Sequence, residues 1–333
     1  MQKSSSLTRR VFLGATSLGT VYMNGQVGSV PHRKLGRTGM EVSALGLGGY
    51  HLGSAKDQAE VNAIVSQAMD AGVNFFDNCW EYHDGLSEER MGIALEGKRK
   101  QAVLMTKVCT HGRDKKVAIR MLEESLRRLR TDYLDVWQIH EVVYWSDPDL
   151  IFSPDGAAEA LVQAKKDGKA RFVGFTGHKD PGIHLKMLSH HFPFDTIQMP
   201  LNCFDATFRS FETQVIPEAN RQGIGVFGMK SMGGSGEMIK AGAVTAEEAL
   251  RYAMSLPVAT TISGIESLEV LHQNLAIAQN FMPYSEAQQK ALRERCRTDA
   301  ADGRLELFKT TTKYDGAEGR RQHQYPTAEK LPA

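Results

Sequence analysis

The sequence predicts an α/β fold, a (β/α)8 (TIM) barrel with an N-terminal β-hairpin and a C-terminal extra helix. Three observations carry this. An apolar segment followed by a polar or glycine-rich loop and an amphipathic helix recurs eight times. Most of the apolar segments are continuous rather than alternating, as strands covered on both faces should be. The theme fills about 250 residues without a second composition regime, which suits one closed barrel better than two domains. An open doubly wound sheet lacks its signature, because Gly46-Leu47-Gly48-Gly49 leads into Tyr50-His51-Leu52-Gly53 and not directly into a helix.

Residues 1–30 stand outside this scheme. Ser4-Ser5-Ser6-Leu7-Thr8-Arg9-Arg10-Val11-Phe12-Leu13-Gly14 and the small, apolar and hydroxyl residues to Val21 resemble a twin-arginine export signal. The stretch is too short and too rich in Gly, Ser and Thr to span a bilayer. The resemblance implies recognition by the Tat export machinery and a periplasmic or otherwise exported location. Val27-Gly28-Ser29 is a tolerable cleavage pattern, and retention of the signal is equally compatible.

The barrel domain is assigned to residues 31–284. Arg33 to Ser43 reads as a hairpin, its turn supplied by Arg37-Thr38-Gly39. The strands are then Ser43–Leu47, Val73–Asp77, Ala102–Lys107, Leu134–His140, Phe172–Thr176, Thr196–Pro200, Gly225–Met229 and Thr260–Gly264. Between them the 3.6 period is plain: Ile119, Leu122, Leu126 and Leu129 share one helix face, and Arg120, Glu123, Glu124, Arg127 and Arg128 lie on the other. Helix stops are written as Asp70-Ala71-Gly72, Lys166-Asp167-Gly168 and Arg221-Gln222-Gly223. Residues 285–333 form a final helix, Ser285 to Asp302, and a tail rich in Thr, Gly, Arg and Gln that is expected to be poorly ordered.

Composition narrows the function classes. With 40 Lys and Arg against 39 Asp and Glu, the formal net charge is +1, so no cationic footprint for nucleic acid exists. No run of about 20 apolar residues occurs, which excludes a polytopic membrane protein. Cys79, Cys109, Cys203 and Cys296 are scattered without a C-x-x-C, so neither a zinc ribbon nor a disulfide framework is indicated.

A barrel of this kind places its chemistry at the C-terminal ends of the strands. The second strand delivers Asp77 and its loop carries Tyr82; the third ends in Lys107 and the fourth in His140. A carboxylate, a phenol, an ammonium and an imidazole thus converge on one mouth. Each alone reads equally well as a structural ion pair, a loop aromatic or a barrel histidine. Together they are a candidate proton-transfer site.

At this point the chain strongly resembles the aldo-keto reductase family. The match rests on Gly72-Val73-Asn74-Phe75-Phe76-Asp77-Asn78, Tyr82, Gly85-Leu86-Ser87-Glu88-Glu89-Arg90-Met91-Gly92, Thr106-Lys107 and Asp132-Tyr133-Leu134-Asp135-Val136-Trp137-Gln138-Ile139-His140, in order across residues 32–280. The resemblance implies NAD(P)(H)-dependent interconversion of a carbonyl and an alcohol. It implies Tyr82 as general acid and base, Lys107 and Asp77 as the pair that tunes it, and His140 as the group orienting the substrate oxygen. By the same resemblance Thr176 and Gln198 hold the nicotinamide carboxamide, Met229 packs on its ring, and Lys230, Ser231 and Gly233 belong to a loop that approaches the pyrophosphate. Gly264 and Glu266 lie at a helix start able to meet phosphate, and Asn274 stands at the adenine contact. Two departures bear on the cofactor. The Ser-Asn expected after strand five is Thr176-Gly177, and the arginines of many NADP-using members are replaced by Glu266 and Val270, which tilts the expectation toward NAD. Trp80, Tyr144, Trp145 and Phe204 are expected to wall the substrate pocket, suiting a sugar or a flat organic carbonyl.

Two other readings stay open. His51, His83, His111, His140 and His178 near strand ends would suit a metal-dependent hydrolase or isomerase, although no H-x-H ends the first strand and Lys107 puts a cation where a metal should sit. A non-catalytic nicotinamide-binding sensor would keep the barrel without turnover. Export together with a nicotinamide site implies a dinucleotide carried in the folded protein and recycled in place by a second substrate or a redox partner.

Overall fold

A continuous apolar strand needs cover on both faces, and the chain provides it by closing its sheet around a packed interior and ringing it with helices. The computed structural model describes residues 28–331. The twin-arginine motif lies outside these residues. At the start of the described chain Val30 is buried, its amide donating to the Ala71 carbonyl at 2.9 Å, so the fold begins at or before residue 30.

A hairpin comes first, with β1 (His32–Lys34) antiparallel to β2 (Glu41–Ser43) and His32 opposite Ser43. The barrel strands are β3 (Leu45–Gly48), β4 (Phe75–Asp77), β5 (Val103–Val108), β6 (Leu134–Ile139), β7 (Ala170–Thr176), β8 (Thr196–Pro200), β9 (Gly225–Met229) and β10 (Thr260–Gly264). Each is parallel to its neighbours, and β10 closes on β3 with Thr261 opposite Leu45. The expected strands are all present, five with shifted ends. The first begins at Leu45 because Ser43 is held by the hairpin and receives the Asn74 amide on its hydroxyl. His140 falls just beyond β6.

Side chains fill the barrel interior. Phe75, Val103, Met105, Val136, Phe227 and Ile262 form one cluster, closed at the N-terminal end by Leu35 and Val42 of the hairpin. Leu35 is fully buried, and burial of a side chain this size contributes about 1.5–3 kcal/mol. Gly36 is required for that plug: its φ is +49° and its backbone rests on Gly225, where a Cβ would collide.

The helices bury the expected faces. Lys115–Arg128 turns Ala118, Met121, Leu122 and Leu126 inward, and its first turn is capped by Asp114, which accepts from the Val117 amide at 2.9 Å. Gly72, Gly168 and Gly223 follow helix ends with positive φ, as their sequence context predicts. No helix among the described residues is long and apolar enough to cross a membrane.

The tail departs from expectation. After the helix Glu286–Ala300, the helical turns Leu307–Thr310 and Ala317–Gln322 hold the chain against the loops at the C-terminal ends of the strands. Its anchor is polar, which is why composition reads as disorder. The ammonium of Lys309, fully buried, donates to Asp205 at 2.7 Å, Glu306 at 3.1 Å and the Phe208 carbonyl at 2.8 Å. A fully satisfied buried charge cluster rigidifies the segment that carries it. Burial pushes the Asp205 and Glu306 carboxyls up, Glu306 to about 7, against the pull of Lys309.

Candidate active site

Strand register fixes where the four expected groups stand. Asp77 of β4 lies opposite Met105 of β5, Lys107 lies opposite Gln138 of β6, and His140 follows β6 with its amide donating to the Val108 carbonyl at 2.9 Å. Tyr82 opens a short 3-10 turn, Tyr82–Gly85, in which His83 and Asp84 take left-handed φ of 51° and 55°. These elements bring the four expected groups together. The Lys107 ammonium donates to the Asp77 carboxylate at 2.5 Å, to the Asn78 carbonyl at 2.7 Å and to the Tyr82 hydroxyl at 3.4 Å. Lys107 is 1% exposed and Asp77 4%. The His140 ring stands edge-on to Tyr82 with centroids 5.9 Å apart.

Burial decides the electrostatics. It raises the Asp77 carboxyl, with Lys107 pulling it back in part. It also holds the Tyr82 phenol well above its ordinary value, reinforced by the charge of Asp77 and by Cys79 and Glu81. The pull of Lys107 toward the phenolate, which the resemblance implies, is offset because its ammonium is already matched by Asp77. Burial alone would lower the His140 imidazole, but Cys79 and Glu81 beside it push it up to about 10. His140 Nδ1 lies 2.9 Å from Glu81, which leaves Nε2 for the cavity.

Two connected spaces open here. A cleft of about 320 Å³ runs from Asp77 and Tyr82 past Gln198, Met229, Lys230 and Ser231 to Gly264, Glu266 and Asn274. A cavity of about 590 Å³ adjoins it, lined by Tyr50, Tyr82, His140, Glu141, Thr176, His178 and tail residues from Lys313 to Glu318. Seven of the nine residues expected to hold a dinucleotide line the cleft; Thr176 faces the second cavity, and Gly233 lines neither. Thr176 Oγ1 and Gln198 Oε1 are buried without a hydrogen-bond partner, two polar atoms able to meet a carboxamide. Asn274 instead donates to Ser263 at 3.0 Å. The loop of Ser231 and Gly233 is tied to the tail through Tyr314, whose hydroxyl receives the Ser235 amide at 3.1 Å and donates to Glu237 at 2.9 Å. Lys230 is drawn down to about 8, chiefly by burial.

The expected aromatic walls are corrected. Trp80 turns away from the mouth, because its indole donates to Glu124 at 2.7 Å and its ring packs against Arg128 and His323. Trp145 is half exposed and covers Gly182, and Phe204 is buried in the core. Tyr144 acts at one remove: its hydroxyl donates to Asp315, which does line the cavity. The missing walls come from Tyr50 and the tail, where Gly316 donates its amide to Glu141 at 2.6 Å. Of the five histidines, His51, His83, His140 and His178 line the second cavity, but among the described residues no two of the five share a ligand cluster. His51 packs on Gly264, His83 meets the Tyr50 carbonyl, His178 faces Asp315, and His111 and His140 flank Glu81.

Comparison with known proteins settles the lineage. The profile of the Aldo/keto reductase family matches residues 44–241. The chain belongs to that family. It is 30% identical over 196 residues to aldo-keto reductase YhdN of Bacillus subtilis, covering 55% of this chain and 56% of that one. It is 36% identical over 160 residues to L-galactose dehydrogenase of Arabidopsis thaliana, covering 44% and 48%. The chain thus spans about half the length of these curated relatives. Among solved structures it is similar to the holo form of aldo-keto reductase AKR11C1 from Bacillus halodurans, with a TM-score of 0.67 at 23% identity, covering 80% of this chain and 96% of that one, which speaks to the fold alone.

Proposed function

We propose that this chain is an oxidoreductase that interconverts a carbonyl and an alcohol on a small, hydroxyl-rich substrate, with a nicotinamide dinucleotide in the cleft. The observation that carries the reading is the buried chain Asp77, Lys107, Tyr82 at 2.5 and 3.4 Å, facing a cavity shared with His140. When bound, the dinucleotide supplies or accepts the hydride. Gln198 and Thr176 would hold its carboxamide, Met229 its ring face, and the Lys230 to Gly233 loop its phosphates.

This chain's own residues handle the proton and the charge. Tyr82, held protonated by its surroundings, donates from Oη to the substrate oxygen as negative charge grows there. Lys107 then stabilises the developing phenolate from 3.4 Å, and Asp77 keeps the ammonium aimed by pairing with it. His140 presents Nε2 to the same oxygen, so two donors converge where charge develops in the transition state. The reverse direction uses the same atoms with Tyr82 as base.

The cavity walls favour a polar substrate. Glu141, Asp315 and Glu318 face Lys230 and Lys313, a setting for hydroxyl groups rather than for an apolar chain. Similarity to a protein named L-galactose dehydrogenase supports a sugar. Glu266, exposed at the far end of the cleft, supports NAD over NADP, because a carboxylate repels a 2′-phosphate and accepts from a free 2′-hydroxyl. Arg9-Arg10 supports Tat export with the dinucleotide already bound. A screen of sugars, aldehydes and quinones against NADH and NADPH, followed at the reduced-nicotinamide absorbance band, tests the reading; a protein inert with every carbonyl and alcohol tried overturns it.

A further inference from the structure

We propose that Cys79, Cys109, His140 and Glu81 form a closed four-ligand site for a divalent cation of the zinc class, seated directly behind the His140 imidazole. Neither the family nor the proposed reaction asks for it. Cys79 lies two residues past Asp77, Cys109 two past Lys107, and His140 one past β6, so three adjacent strands deliver them in one layer. Backbone bonds on both sides fix the Cys79 loop: the Asn78 amide donates to the Met105 carbonyl at 2.9 Å and the Trp80 amide to the Lys107 carbonyl at 3.0 Å.

The donor atoms already cluster at ligand spacing. Cys79 Sγ and Cys109 Sγ are 3.2 Å apart, and they stand 3.3 and 3.4 Å from His140 Nδ1. Glu81 Oε1 lies 2.9 Å from the same nitrogen, and all four donors fall within 4.8 Å of one another. Bond lengths of about 2.3 Å to sulfur and 2.0–2.1 Å to nitrogen or oxygen correspond to edges of roughly 3.3–3.8 Å, so the shell need open by only about half an ångström. Two thiolates, an imidazole and a carboxylate form a borderline-soft donor set that suits zinc and not magnesium or calcium.

Hydrogen bonding crowds this cluster onto one atom, although the Cys79 thiol also has the Lys107 carbonyl at 3.6 Å. Nδ1 carries either one proton or one lone pair, yet three donor or acceptor atoms from Cys79, Cys109 and Glu81 converge on it. Both cysteines are fully buried and unbridged. A cation at the centre replaces three competing contacts with four bonds and displaces the thiol protons. Glu81 is oriented as a ligand should be: Oε1 faces the cluster and Oε2 sits 3.4 Å from His111 Nε2.

Four protein ligands leave no open position, so the ion is structural and does not activate water. Its effect on the reaction is through position. With Nδ1 on the cation, His140 keeps its proton on Nε2, the atom facing the cavity.

The test uses the full chain purified without a histidine tag, incubated with ZnSO4 and dialysed, with metal read by mass spectrometry. About one zinc per chain is expected, and Co²⁺ in its place should give tetrahedral d–d bands with an intense thiolate-to-cobalt charge-transfer band. The Cys79→Ser, Cys109→Ser double variant should lose both signals, and His111→Ala should weaken zinc binding by about 10–100-fold. Wild-type protein that stays metal-free with two freely reacting buried thiols overturns the proposal, as does cobalt bound without the charge-transfer band. The wild-type cobalt spectrum decides even if the double variant fails to fold. No substrate or dinucleotide enters the measurement, so its outcome is separate from that of the proposed reaction.

Discussion

Replacing Lys309 by Met removes the cation from a cluster in which Lys309, Asp205 and Glu306 are all fully buried. The Asp205 carboxylate would keep the Phe211 and Glu212 amides at 3.2 and 2.7 Å, and Glu306 would keep Asn202 at 3.0 Å, but two carboxyls would face each other without a counter-ion. Breaking a buried pair by removing one partner costs about 3–5 kcal/mol, or roughly 10²–10⁴-fold in the equilibrium between docked and released states. The penalty should fall on the segment that Lys309 anchors. Hydrogen exchange followed by mass spectrometry should show peptides from about residue 305 onward exchanging at least ~10²-fold faster, while β5 and β6 peptides keep their protection. Adding Asp205→Asn and Glu306→Gln to Lys309→Met should recover part of the loss, because the uncompensated charge is then gone. Unchanged tail exchange, or equal loss in tail and strands, would refute the claim that this cluster docks the tail as a separate unit.

Three further outcomes follow from particular groups. His184 is buried against Phe175 and Phe211 and pulled down to about 4 by burial, against an ordinary 6.5. The native state therefore binds fewer protons than the unfolded chain between these values, and up to about 3 kcal/mol of stability, complete above pH 6.5, is lost as pH falls toward 4. Urea unfolding at a series of pH values should show this slope in wild type and a flatter one in His184→Gln. Glu266→Arg should shift dinucleotide preference toward NADPH by about 10-fold or more, as a charge-assisted bond to the 2′-phosphate is worth about 1.5–3 kcal/mol; competitive titration of NADH and NADPH measures it. Native mass spectrometry of protein recovered from the cell envelope should show retained dinucleotide, and an apo protein there would count against export in the loaded state.

What the sequence made legible divides along physical lines. The barrel was readable because its order needs only local signals, continuous apolar runs such as Val103–Val108 and helix stops such as Gly72. Asp77, Lys107 and His140 were readable because strand ends in a parallel barrel share one mouth. The tail was not, since its stability comes from Lys309 meeting Asp205, 104 positions away, and no composition window contains that pairing. Trp80 was misplaced for a related reason: its direction is set by Glu124 on a later helix, which a loop assignment cannot show. Cys79 and Cys109 looked scattered because C-x-x-C spacing is a signal of one loop, and these two meet across a β4–β5 register. Reading the residues two positions beyond Asp77 and Lys107, and the first beyond β6, as a second layer would have found them.

The most direct test of the central claim is single-turnover hydride transfer in Tyr82→Phe beside wild type, using a carbonyl that wild type reduces. The account predicts a rate lower by about 10²–10⁴-fold with dinucleotide affinity little changed, because the phenylalanine keeps the ring and loses only the proton. Equal rates in the two proteins would contradict it.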